Sequence, residues 1–136
     1  MDKSLQIQAV MTPFPHSVGL NQSVKVARQL MREHSIRHLP VQNGGQLVGV
    51  ISDRDVNFAI AFEHVDPETM LVSEAYTAEP YIIELTTPVY QVARRMADDH
   101  LGCALVTQRE RLVGIFTAVD ACRTLADLLL SDDDRK

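Results

Sequence analysis

The sequence predicts an α/β (α+β) fold built from two β-α-β-β-α repeats packed together with pseudo-twofold symmetry. Three observations carry this. First, the chain repeats itself. Gly49-Val50-Ile51-Ser52-Asp53-Arg54-Asp55 returns as Gly114-Ile115-Phe116-Thr117-Ala118-Val119-Asp120, and 114 − 49, 117 − 52 and 120 − 55 all equal 65. The same shift of 65 pairs Thr12 with Thr77, Pro15 with Pro80, Met31 with Met96, Val41 with Val106 and Leu47-Val48 with Leu112-Val113. Repetition over such a length marks a duplicated structural unit. Second, Val24, Ala27, Leu30 and Met31 recur at helical spacing behind Ser23, a good N-cap. Third, Asn43-Gly44-Gly45 is a hairpin-turn signal between two short apolar runs.

Taken in order, residues 5–11 form a short apolar lead-in, followed by the turn-rich Thr12-Pro13-Phe14-Pro15. Residues 17–20 read as a short extended piece. The helix behind Ser23 ends near Ser35. Residues 39–42 and 46–52 are the two strands of the hairpin, and residues 53 to about 63 a second helix. Residues 64–69, with Asp66-Pro67, form the linker. In the second repeat Pro88 takes the helix-start position, and Val89, Val92, Ala93 and Met96 form the inward stripe. Residues 103–107 and 111–117 are strands, and 118–130 the closing helix. The tail at 131–136 is a solvated acidic run. The organisation is one module spanning 1–136, with repeats at 9–64 and 70–130. At about 60 residues neither repeat buries a comfortable core alone. Packing the two sheets together leaves two equivalent clefts, one reached by the Ser52/Asp55 turn and one by the Thr117/Asp120 turn.

Composition narrows the function classes. With 136 residues, 46% hydrophobic and 23% charged, the chain suits one ordinary globular module. The net charge is 13 − 18 = −5, which recruits neither nucleic acid nor an acidic membrane surface. Cys103 and Cys122 lack CxxC or ligand spacing and read as free thiols in a reducing compartment, both as core filler. The N-terminus lacks a signal-peptide apolar region, and no apolar run approaches the ~20 residues of a membrane helix, so the expectation is a cytoplasmic protein. The five histidines form no ligand-spaced cluster, and His34 and His38 straddle a helix end. No nucleophile elbow, P-loop or paired-carboxylate arrangement is present, so the chain reads as non-catalytic, with no metal and no required cofactor.

The repeated motif carries the chemistry. Each copy brings a hydroxyl and a carboxylate to a strand-to-helix turn where backbone N–H groups are free. That combination suits a ligand with an anionic group and vicinal hydroxyls, such as a nucleotide. Asp55 lies about one turn beyond Ser52, so both side chains can face one opening, and an ionised carboxylate can accept from two hydroxyls. Arg54, Arg37 and His38 are candidates for phosphate. A second reading stands beside this one. Ser52-x-x-Asp55 and Thr117-x-x-Asp120 both fit a capping box, which alone explains hydroxyl and acid. A cap partner can also exchange for a ligand, so the two roles are compatible.

The grammar resembles the tandem CBS module, named after cystathionine β-synthase, over nearly the whole chain. The resemblance rests on Val10-Met11-Thr12-Pro13, Ile36-Arg37-His38-Leu39-Pro40-Val41 and Gly49 to Asp55 in the first repeat. In the second it rests on Ala104-Leu105-Val106 and Gly114 to Asp120. It implies a regulatory module binding an adenine nucleotide, AMP, ADP or ATP foremost and S-adenosylmethionine or NAD as further ligands, in clefts between the repeats. It also implies a homodimer and a regulated partner on a separate chain. By the same resemblance Asp55 takes the ribose hydroxyls and Ser52 the ribose or phosphate. Adenine lies between Val50 and, from the other repeat, Thr77, Tyr81 and Ile83. The second, weaker site comprises Thr117, Asp120 and Ile115 with Thr12, His16 and Val18 across the repeats. Gly102, Cys103 and Val119 stand there where Arg37, His38 and Arg54 stand in the first copy, so less is offered to phosphate. The alternative is a ligand-independent interaction or dimerisation module with vestigial clefts.

Overall fold

The computed structural model describes residues 3–63 and 66–130, so His64-Val65 of the expected linker and the acidic tail lie outside the described residues. In chain order the strands and α-helices are β1 (Thr12–Pro13), β2 (Val18–Gly19), α1 (Val24–Glu33), β3 (His38–Asn43), β4 (Gln46–Ser52), α2 (Asp53–Glu63), β5 (Thr77–Ala78), β6 (Ile82–Glu84), α3 (Val89–Asp98), β7 (Cys103–Gln108), β8 (Arg111–Thr117) and α4 (Ala118–Leu129). A short 3₁₀ turn precedes each of β1 and β5, at Ile7–Ala9 and Val72–Glu74. The chain divides into two compact units. The first is Pro15–Pro80, and the second joins Met1–Phe14 to Tyr81–Lys136.

Each unit carries a four-stranded sheet of the same design. In the first, β2 runs parallel to β3, β3 antiparallel to β4, and β4 antiparallel to β5. In the second, β6, β7, β8 and β1 repeat that sequence of pairings. The edge strand of each sheet is thus the lead-in of the other repeat. The turn-rich expectation for Thr12-Pro13 missed this: the two residues pair with Ile115 and Gly114, as Thr77 and Ala78 pair with Val50 and Gly49. The repeat read from the sequence and the unit seen in space are therefore offset by a lead-in.

Local chemistry explains the elements. Ser23 caps α1 by accepting the Val26 N–H at 3.3 Å, and Val24, Ala27 and Met31 are buried beneath the helix. Ser35, just beyond its end, sits at φ 53°. The β3–β4 hairpin turns through Gly44 and Gly45 at φ 59° and 82°, a primed two-residue turn that matches strand twist. The β7–β8 hairpin makes the same turn with Arg109 and Glu110, at φ 52° and 67°, where a side chain is strained. The other positive-φ residues also fall in pairs 65 apart, Phe14 with Glu79 and Ser35 with His100, so the duplication extends to backbone conformation.

Each unit has its own core. Val18, Val24, Ala27, Met31, Leu39, Val41, Ile51 and Val56 fill the first. Ile7, Ile83, Val89, Val92, Met96, Ala104, Val106 and Phe116 fill the second. Cys103 is buried as expected, but Cys122 is exposed on α4, which corrects its reading as core filler: it lies on the outward side of a helix whose buried residues are Asp120 and Thr124.

Candidate functional site: two capped carboxylates

The site is built where β4 and β8 end. In the first unit α2 begins at Asp53, whose N–H bonds to the Arg37 carbonyl at 3.0 Å. Ser52 and Asp55 form a reciprocal cap. The Ser52 N–H donates to Asp55 Oδ2 and the Asp55 N–H donates to Ser52 Oγ, both at 3.0 Å. The Thr77 hydroxyl, brought in on β5, lies 3.4 Å from the same Oδ2. Gly49 permits this approach, because a Cβ there would run into the Thr77 carbonyl oxygen and the Tyr76 ring. Asp55 is partly exposed, and its Oδ1 accepts no hydrogen bond among the described residues.

The second unit repeats the cap and then departs from it. The Thr117 N–H donates to Asp120 Oδ2 at 3.0 Å, and the Asp120 N–H to Thr117 Oγ1 at 3.1 Å. Here the lead-in hydroxyl is closer, with Thr12 Oγ1 3.1 Å from Oδ1. Arg123 adds an ion pair, Nη1 to Oδ1 at 3.0 Å. Asp120 is only 4% exposed, and both its oxygens are taken. The shift of 65 puts Phe58 at the position of Arg123. A phenyl ring offers no donor and Thr77 approaches Oδ2, so Asp55 keeps the oxygen that Asp120 commits to Arg123 and Thr12. Arg123 is thus a site residue that sequence reasoning missed, although its place three residues beyond an acid on a helix is a recognisable pairing signal.

The remaining expected residues are divided between the two units. His38 pairs with Ser52 across β3 and β4. Burial pushes its imidazole below the ordinary histidine value, against the opposing pull of Asp53 and Asp55 and with a smaller lowering contribution from Arg37. Val50 is partly buried on β4, opposite Thr77. Arg54 joins Asp55, Phe58, Phe62 and Glu74 around a pocket of about 260 Å³. Arg37 does not line that pocket; it lines another, between α1 and α2. Three of the apolar residues expected at the two sites are buried: Val18 and Ile83 belong to the two cores, and Ile115 is 5% exposed. Alternation along a strand says which residues share a face, not which face is covered. Tyr81 lies in the second unit, beneath the Arg95 guanidinium at 4.6 Å. His16 belongs to the first unit, stacked on His34 with centroids 3.6 Å apart, whereas Thr12 belongs to the second.

A duplicated β-α-β-β-α unit, with a hydroxyl–carboxylate cap closing each β-hairpin onto a helix, defines a tandem-repeat α/β module. The chain belongs to the CBS domain family, whose model matches residues 7–61 and again 72–127. It is 29% identical over 111 residues to hypoxic response protein 1 of Mycobacterium tuberculosis, covering 81% of this chain and 78% of that protein. Among solved structures it is similar to the CBS domain pair of protein MJ0100 in complex with 5′-methylthioadenosine and S-adenosyl-L-methionine. There the TM-score is 0.83 and the identity 25%, over 91% of this chain and 98% of that one. It is also similar to CBSX2 in complex with AMP, with TM-score 0.77 and identity 25%, over 90% and 97% of the two chains. No helix among the described residues is long and apolar enough to cross a membrane.

Proposed function

We propose that the protein is a non-catalytic sensor that binds an adenosine-containing ligand through Asp55 and thereby changes its contacts with a partner protein. The observation that carries the reading is the inequality of the two acids. Asp55 is held in place through one oxygen while the other accepts nothing among the described residues. Asp120 spends both oxygens on Thr117, Thr12 and Arg123. A fixed carboxylate with a vacant acceptor beside a helix start is suited to a vicinal diol. The adenosine ligands of the two structural relatives supply the chemistry, and AMP, ADP, ATP, S-adenosylmethionine and NAD share that adenosyl ribose. Ser52 holds the acid, Arg54 and His38 lie beside it for an anionic group, and Thr77 adds a hydroxyl. The Thr117/Asp120 turn serves as the weaker site, since a ligand there must displace Arg123. Regulation follows if the ligand binds one arrangement of the protein better than another.

A thermal-shift panel with AMP, ADP, ATP, NAD, S-adenosylmethionine and adenosine tests this. A ligand at a hundred times its dissociation constant adds about 2.7 kcal/mol, several degrees in melting temperature. A shift with at least one of them, lost in Asp55→Asn, supports the reading, and no shift with any at millimolar concentration contradicts it. The second reading, a ligand-independent homodimer module, is favoured by the apolar groups exposed on α4, Leu125, Leu128 and Leu129, and on α2, Phe58 and Phe62. Light scattering of the ligand-free protein distinguishes it, a monomer at micromolar concentration being the contrary result.

A further inference from the structure

From the seam between α1 and α2 we infer a second anion site, for a small ligand bearing two or more phosphate charges, separate from the Asp55 site. Arg28, Arg32 and Arg37 line one pocket of about 370 Å³ there, with Asn57 and Asp53 from α2. Its floor includes Met31 and Val56, both core residues, so the position of the pocket is fixed by packing. Arg28 is tethered through Nη2 to Asn57 Oδ1 at 3.0 Å. The guanidinium groups of Arg32 and Arg37 make no ion pair or hydrogen bond among the described residues.

Charge and geometry both point to a phosphate-bearing occupant. Three cations and one carboxylate leave the pocket at +2 in a chain whose net charge is −5. Clustered guanidinium groups repel one another until an anion screens them, and each offers a planar fork matched to phosphate oxygens. A monoanion meets one fork; a pyrophosphate-like group can meet all three.

The pocket is distinct from the one at Asp55 because α2 stands between them. At 100° per residue Asp53, Val56 and Asn57 lie within one sector of the helix, and Arg54, Asp55, Phe58 and Phe62 lie in the opposite one. Arg37 therefore serves this pocket rather than the phosphate of a ligand whose ribose rests on Asp55. The inference does not depend on the nucleotide reading, since its groups and its occupant are different.

The test is calorimetric titration of the full chain with inorganic pyrophosphate at low ionic strength and without divalent cations. Saturable binding of one ion per chain is expected, weakened about tenfold (~1.4 kcal/mol) in Arg32→Ala and again in Arg37→Ala. Both side chains are exposed, so these variants should keep the urea midpoint of the wild type. Asp55→Asn should bind pyrophosphate unchanged while losing any adenosine ligand. Absence of saturable heat up to about 1 mM overturns the inference. So does wild-type affinity in both arginine variants, and so does loss of pyrophosphate binding in Asp55→Asn, which would place the anion on the other side of α2.

Discussion

Replacing the two capping acids separately by alanine should cost unequal amounts of stability. In Asp55→Ala the Ser52 N–H loses its acceptor at 3.0 Å, while the Thr77 hydroxyl, 3.4 Å away and exposed, turns to water. That is the loss of a cap, about 1 kcal/mol. In Asp120→Ala the Thr117 N–H loses its acceptor, and so do the Thr12 hydroxyl and Arg123. Arg123 is 65% exposed and rehydrates, so its ion pair adds little, well under 1 kcal/mol. Thr12 is exposed as Thr77 is, so its hydroxyl also finds water, and its shorter bond to an ionised acceptor that is 4% exposed adds only about 1.5 kcal/mol to the cap. Asp120→Ala should therefore cost about 2.5 kcal/mol and Asp55→Ala about 1 kcal/mol. Urea titrations at unchanged m-value measure the difference, and in melting temperature it amounts to roughly 8 °C against 3 °C. Equal losses, or a larger loss for Asp55, would refute the view that Asp120 is the structural acid and Asp55 the available one.

Other expectations follow from the same geometry. Glu110→Gly should stabilise the protein by about 1 kcal/mol, because it relieves a left-handed side chain in a turn that the first repeat makes with two glycines; an unchanged urea midpoint would count against strain there. Gly49→Ala should be far more damaging than Gly114→Ala, since the added methyl meets backbone and a tyrosine ring in one case and the flexible Met11 side chain in the other. Soluble yield and melting temperature rank the pair, and the reverse order would contradict the packing. His38 gives a pH dependence of definite sign. Burial favours its neutral form, so as pH falls the unfolded chain takes the proton first. Stability should be full above the ordinary value of about 6.5 and decline between there and the lowered folded value. His38→Gln should flatten that part of the stability profile, and a profile identical to wild type would show the imidazole to be solvated.

Much of this was legible because the duplication supplies each signal twice. The hairpin glycines, the Ser23 cap and the stripe behind Pro88 are local chemistry, and the strands and helices fell within a residue or two of expectation. The lead-in strands were not legible. Two residues carry no periodicity, and Thr12-Pro13 joins a sheet only because β8, about a hundred residues later, offers its edge. Asp55 and Asp120 were visible as caps and as acids, but their inequality was not. It arises from the closer Thr12 hydroxyl on Oδ1 and from Arg123, where the first copy has Phe58, contacts that lie beyond the motif. Val18, Ile83 and Ile115 are buried in the cores or nearly so, which the sequence did not separate from a place at a ligand, because an apolar strand residue serves a core and a ligand wall equally well. Arg37 lines the α1–α2 pocket with Asp53, and Asp55 lines the other one, a division by faces of α2 that the strand-start motif does not announce.

The most direct measurement is calorimetric titration of wild type, Asp55→Asn and Asp120→Asn with AMP and with S-adenosylmethionine. The account predicts one dominant site per chain for at least one ligand, weakened at least about tenfold in Asp55→Asn and little changed in Asp120→Asn. Two equivalent sites in the wild type, or a dominant site that survives in Asp55→Asn and disappears in Asp120→Asn, would contradict it.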